Sequence, residues 1–264
     1  MMTAKQSLSG CIILAICALV RPVVAGESAR EGSVEAGGKY YTLTDGQPDT
    51  AGVYTRGILD VGNADTWSGE IVHLDRFNDT GTFFSIGDTH TFNALYYGNV
   101  TVGSSSGGFF WPRVRVDASL SRKWLARQNL VTTIGFGYYD AKDIHSDKSV
   151  LLETTYYFNA PWIAQAGVRI NDSEPGAVVS TSGYMALTYG HDRRRFVTLR
   201  GGFGNQGYQP FGAQSFTVDT EFHQLTLTWR EWVGHDWGVN FVADDYNSST
   251  YDQRGIELGL FKEF

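Results

Sequence analysis

From residue 34 to the C-terminus, apolar and polar residues alternate with a period of two. That is the spacing at which side chains fall on the two opposite faces of a β-strand. Phe110, Pro112, Val114, Val116, Ala118 and Leu120 share one face of a run whose other face carries Trp111, Arg113, Arg115, Asp117, Ser119, Ser121 and Lys123. Trp162, Ala164, Ala166, Val168 and Ile170 are likewise opposed by Ile163, Gln165, Gly167, Arg169 and Asn171. After Gly26 no helical spacing persists over a dozen residues. The runs and their polar separators predict strands at about 34–44, 53–62, 66–76, 82–91, 94–104, 110–123, 129–139, 149–158, 161–171, 180–190, 194–204, 216–230, 236–246 and 254–264. The third and fourth runs alternate least clearly. The five prolines of this region, at 48, 112, 161, 175 and 210, fall in expected loops or at strand starts, where a missing N–H does no harm.

The first 25 residues have a different character. Lys5 precedes the ten-residue apolar run Cys11–Val20, and Val23-Val24-Ala25 precedes Gly26. This order of charge, apolar run and small residues is that of a secretory signal peptide. The run is too short for a membrane-spanning helix, which needs ~20 apolar residues. Leu8-Ser9-Gly10-Cys11 has the look of a lipoprotein cleavage site but precedes the apolar run instead of following it. The expected organisation is therefore a signal peptide at 1–25, a short tail at 26–33 and one β-domain at 34–264. Both cysteines, Cys11 and Cys17, lie in the leader. The rest of the chain must then be stabilised without disulfides, which secreted domains commonly use.

Connector size separates the all-β alternatives. Those after odd-numbered runs are mostly longer and polar, at 45–51, 141–148, 172–179, 205–215 and 247–253, and those after even-numbered runs are shorter. Transmembrane barrels sort their loops between two rims in this way. The expected fold is an all-β, antiparallel, up-and-down transmembrane β-barrel of about 14 strands, with 12 as the alternative even count. Trp67, Tyr96, Tyr138, Trp162, Tyr189, Trp229 and Trp237 lie near run ends on the apolar face, where rings suit the lipid–water interface. Arg56, Asp60, Arg113, Arg115, Asp117, Lys123, Glu153, Arg169, Arg200, Arg230 and Glu257 fall on the other face and are expected to line the lumen. Outward charges at mid-bilayer would cost ~2–4 kcal/mol each, which fixes the phase. These lumen groups either brace the barrel or line a narrow pore whose arginines favour acidic solutes. Ile256, Leu258, Leu260 and Phe264 form an apolar terminal strand ending on an aromatic residue. It resembles the signal by which bacterial outer-membrane barrels engage their assembly machinery; Lys262, in phase with it, departs from that pattern.

The chain resembles the YaiO family of outer-membrane β-barrel proteins. Four stretches carry the likeness: Val34-Glu35-Ala36-Gly37-Gly38-Lys39-Tyr40-Tyr41; Leu227-Thr228-Trp229-Arg230; Trp237-Gly238-Val239-Asn240-Phe241 with the Tyr246 region after it; and Gly255-Ile256-Glu257-Leu258-Gly259-Leu260 leading to Phe264. The resemblance implies a barrel in the Gram-negative outer membrane, in contact with its lipid. Related barrels at the ends of exopolysaccharide-export proteins point to envelope polysaccharide. It implies no catalytic residues.

The formal charge of -7 argues against nucleic-acid partners, which require a basic face. Gly103-Ser104-Ser105-Ser106-Gly107 matches the G-x-S-x-G pattern, but no helix follows to expose the serine. The histidines lack metal-ligand spacing, and no cofactor motif is present. Two other functions fit parts of the sequence. One is an outer-membrane hydrolase using Asp140, Asp143, His145 and Asp147 at one rim. The other is a soluble periplasmic glycan-binding β-protein, whose alternation would come from a sandwich.

Overall fold

The computed structural model describes residues 31–191, 193–212 and 215–264. The expected leader lies outside these residues. Fourteen antiparallel strands follow one another: β1 (Gly32–Leu43), β2 (Thr50–Val61), β3 (Asp65–Arg76), β4 (Asp79–Thr91), β5 (Tyr96–Gly107), β6 (Val114–Trp124), β7 (Leu130–Asp140), β8 (Ser146–Tyr157), β9 (Trp162–Glu174), β10 (Val178–His191), β11 (Arg195–Gly212), β12 (Ser215–Trp232), β13 (Trp237–Ser248) and β14 (Asp252–Glu263). Each strand pairs with its sequence neighbours, and β1 pairs with β14 to close the barrel. Closure leaves no free edge and satisfies the ladder all the way round. It settles the strand count at 14 and overturns the sandwich.

Register carries the alternation around the wall. Directly opposed residues share a face, so Glu35 opposite Arg56 and Phe261, and Arg56 opposite Glu70, all point the same way. Arg230 of β12 reaches Glu35 of β1, across two intervening strands, at 3.3 Å, which identifies that face as the interior. Outward lie Val53, Ile71, Ile86, Val100, Phe136, Leu152, Met185, Leu199, Leu225 and Leu258, all exposed. A twelve-residue strand such as β1 rises ~40 Å and, tilted as barrel strands are, covers the ~30 Å of a bilayer core.

Three expectations are corrected here. The rims are not sorted by loop length. β3 and β4 are joined through residues 77–78 alone, β9 and β10 through 175–177, and β11 and β12 extend to Gly212 and from Ser215. The polar residues expected in long loops instead lengthen the strands beyond the apolar belt. Pro210 accordingly lies inside β11, where the pairing with β12 shifts register between Pro210 and Gly212, an irregularity that tolerates a missing N–H. Finally, β6 starts at Val114, not at residue 110. Gly107 and Gly108 take left-handed φ values of 63° and 58°, a turn that a side chain disfavours, and Pro112 follows. Residues 108–113 leave the sheet as a connector.

Candidate functional site: the barrel interior

Of the expected lumen residues, Arg56, Asp60, Arg115, Asp117, Lys123, Glu153, Arg169, Arg200, Arg230 and Glu257 all lie on the inward face. Arg113 does not. It belongs to the 108–113 connector, is well exposed, and pairs with Asp140 at 3.1 Å.

Two unlike walls face each other across the interior. The first comprises β13, β14 and β1 to β4, where the inward side chains are large and close-packed. Tyr54 lies over two glycines: a Cβ on Gly37 would come within 2.7 Å of its Oη, and one on Gly259 within 2.4 Å. The absent side chains make room for the ring, whose hydroxyl donates to Glu35 at 2.8 Å. Glu35 also accepts from Arg56 at 2.7 Å, Asn240 at 3.2 Å and Arg230 at 3.3 Å. One strand turn towards the opposite rim, Glu257 accepts from Tyr41 and pairs with Lys39 at 3.0 Å. Arg76 of β3 donates to Gln253 of β14 at 2.6 Å, and Asp244 accepts from Gln224 and Thr226. Buried charges are tolerable only when paired and hydrogen-bonded, and most of these groups meet that condition through partners on other strands.

Above this ionic layer the mouth away from the termini is filled by rings. Phe110 packs with Tyr54, Val72 and Leu74, while Phe77, Tyr246 and Tyr251 form a second buried cluster; Phe109 touches both. Trp111 stacks on Phe83 with centroids 5.1 Å apart. The 108–113 connector thus folds inward over the first wall, and side chains pin it there. The Phe109 N–H donates to Asp79 at 2.9 Å, Ser105 donates to the Pro112 carbonyl at 2.6 Å, and Ser104 to that of Arg113 at 2.8 Å. Lys142 donates to the carbonyls of Gly107 and Gly108. Burial pushes the Lys142 ammonium below the usual lysine range, with Asp79 pulling the other way. Ser104 and Ser105 of the G-x-S-x-G match are therefore strand residues that hold this connector.

The second wall, β5 to β11, presents mainly small or polar side chains inward, Asn99, Thr101, Ser119, Ser121, Gln165, Asn171, Ser182 and Thr198 among others, interspersed with Tyr97, Leu151, Tyr157, Ile163, Tyr184 and Phe196. Its charges mostly have partners. Arg115 pairs with Asp117 at 2.6 Å, Arg169 donates to Ser149 at 2.6 Å, and Tyr184 donates to Glu153 while Arg200 lies 3.8 Å over the Tyr184 ring. Among the described residues, every buried aromatic or aliphatic side chain except Val131 belongs to the first wall or to the connectors that fold over it.

The four residues of the hydrolase reading are not gathered into one site. Asp140 is tied to Arg113. Asp147 points inward and accepts from Asn171 and Ser173. Asp143 and His145 bond each other within one loop at 2.8 Å, and the His145 ring packs on Tyr208. Among the described residues, no group of three His, Cys, Asp or Glu is placed to hold a metal ion.

The expected interfacial rings all point outward, and Trp67, Tyr138, Trp162, Tyr189, Trp229 and Trp237 are exposed. They are unevenly shared: Tyr138 is near the far rim, whereas the other five, with Tyr96, lie near the rim of the two termini. Trp124 and Phe264 extend that belt. Ile256, Leu258, Leu260 and Phe264 are outward and exposed, and Lys262, in phase with them, bonds Asp236 at 2.6 Å just beyond the strands. That bond holds the Asp236 carboxyl below its usual range.

A closed, belted 14-strand barrel with a polar interior defines a membrane β-barrel of the outer-membrane type. The chain belongs to the YaiO membrane β-barrel family, whose model matches residues 31–209. The first of the four resembling stretches, Val34–Tyr41, lies in that match; the other three lie beyond it. No curated protein matches in sequence. Among solved structures it is similar to the CymD monoaromatic hydrocarbon channel (TM-score 0.61, 6% identity, 88% of this chain and 87% of that one). It is also similar to an anion-selective porin from Comamonas acidovorans (0.53, 9%, 89% and 99%) and to a bacterial polysaccharide outer-membrane secretin (0.52, 8%, 88% and 98%). At these identities the likeness is one of fold.

Membrane placement makes the outward phase testable. Leu258→Arg, in the middle of β14 and outward, is expected to destabilise the barrel by ~2–4 kcal/mol. Urea titration of the protein folded in lipid vesicles checks this, with Thr226→Arg on the inward face expected to cost less.

Proposed function

We propose that the chain is a non-enzymatic conduit of the Gram-negative outer membrane for small polar solutes, running along the second wall. The asymmetry of the interior carries this reading. The fully buried apolar packing is concentrated on one wall, while the other is faced mainly by hydroxyls, amides and charged groups, with Tyr97, Leu151, Ile163 and Tyr184 among them. Such a lining offers donors and acceptors to a hydrated or polyhydroxylated solute without a fixed sign of charge. The arginines expected to select acidic solutes are largely spent: Arg56, Arg115 and Arg230 lie on carboxylates. Sugar-like solutes fit this lining better than strongly anionic ones, and the tie to envelope polysaccharide rests on that chemistry together with the family's relatives.

In this reading the termini and the ring-rich rim face the periplasm, the inward-folded connector faces outside, the rings contact headgroups, and the β14 sequence addresses the barrel-assembly machinery. Swelling of liposomes containing the folded protein tests the conduit. Mono- and disaccharides are expected to enter faster than into protein-free vesicles, with weak preference between chloride and potassium in planar bilayers. Neither sugar entry nor ion current, in the wild type and in a variant lacking the 108–113 rings, would leave a purely structural barrel.

A further inference from the structure

Among the described residues, the outward face of the ring-rich rim carries three lysine or arginine side chains in strands, and two of them are matched with acids. Arg195 bonds Glu231 at 2.9 Å and Lys262 bonds Asp236 at 2.6 Å. Arg122 differs. It points outward from β6, two residues before the strand ends, and among the described residues no carboxylate pairs with it. Aromatic rings frame it instead: its guanidinium lies 3.7 Å from the Trp124 ring centroid and 5.4 Å from that of Tyr96, its partner across the ladder. Thr132, its partner on the other side, accepts from the Trp124 indole N–H at 2.7 Å, which fixes the ring over the guanidinium. The Arg122 Nε is buried without a hydrogen-bond partner. The side chain borders an outward groove of about 410 Å³ floored by Leu120, Ile134 and Leu152.

We infer that this groove holds one phospholipid, its phosphodiester on Arg122 and one acyl chain along the floor. The elements match the two ends of that molecule. A cation facing lipid needs an anion, and a guanidinium binds phosphate through paired, charge-assisted hydrogen bonds. Stacking on Trp124 and Tyr96 leaves the edge of the guanidinium for those bonds and shields it from water. The belt of rings places Arg122 at headgroup depth, and the apolar floor continues from there towards mid-bilayer. The inference is separate from solute passage, since every residue it uses faces out.

Native mass spectrometry of the detergent-purified, delipidated barrel titrated with phosphatidylglycerol is the test. The wild type is expected to retain one lipid that Arg122→Gln binds about tenfold more weakly, the loss of about one charge-assisted bond. Trp124→Ala should weaken retention less, Arg122→Lys should restore part of it, and Arg195→Gln should leave it unchanged. Millimolar inorganic phosphate is expected not to displace the lipid. Displacement by phosphate would make this a free-anion site. Equal retention by wild type and Arg122→Gln, with both showing the heat-modifiable mobility of a folded barrel, would overturn the inference.

Discussion

Phe110→Ala combined with Trp111→Ala is expected to raise single-channel conductance in planar bilayers several-fold while the barrel stays closed. The rings of Phe110 and Trp111 hold residues 108–113 against Tyr54, Val72, Leu74 and Phe83 at the far mouth. Truncating a buried Phe or Trp costs ~3–5 kcal/mol where the surroundings cannot collapse. The bonds that would remain, from Asp79, Ser104, Ser105 and Lys142, contribute ~1 kcal/mol each. They cannot offset the loss of both rings, so the connector leaves the mouth. The wall itself is untouched, because the residues belong to no ladder. Trp67→Ala, an outward ring near the other rim, should leave conductance as it was. Wild-type conductance in a double variant of folded mobility would show that the connector does not limit passage.

The wall was legible in the sequence because a membrane barrel sorts its residues by face, and a strand writes the sorting with period two. Arg115, Asp117, Arg169 and Arg230 could be placed inward from their neighbours alone. β3 and β4 were the hardest runs to read for a physical reason. Their inward residues Val72, Leu74 and Phe83 pack under the connector, so apolar residues occur on both faces and the alternation fades. The alternation does not single out Glu35, Lys39, Glu70, Arg76 and Asp244 as lumen charges, although they are in phase with inward residues of their strands. Their importance lies in partners two or three strands away, which spacing along one strand does not reveal. Gly37 and Gly259 are the trace left by the crowding around Tyr54. Period two does not reveal the inward connector, because Phe110, Pro112 and Val114 happen to continue the alternation. Gly107-Gly108 was the available sign of the break.

Removing Glu35 is expected to be the most destabilising single change among the lumen charges. Its carboxylate is the meeting point of β1, β2, β12 and β13, accepting from Tyr54, Arg56, Arg230 and Asn240. Glu35→Leu would leave Arg56 and Arg230 facing each other without the anion between them, in a layer where Glu35 is almost fully buried. Breaking a buried pair on one side costs ~3–5 kcal/mol, because the partner's charge remains desolvated. Two cations on one acid place this site towards the upper end. Glu35→Gln keeps the shape and some acceptor capacity and should cost less. Urea titration in lipid vesicles measures both, and the temperature at which folded mobility on gels is lost should fall in the same order. Arg195→Ala sets the scale from the other side. Its pair with Glu231 is outward and half exposed, so the loss should stay below ~1 kcal/mol. A cycle of Glu35→Gln, Arg56→Gln and the double variant separates network from packing. A coupled pair in one network gives a double variant cheaper than the sum of the singles, by ~1 kcal/mol or more. Additive losses would mean that Glu35 acts through volume alone, and the ionic layer would then be filling for the barrel and not its brace.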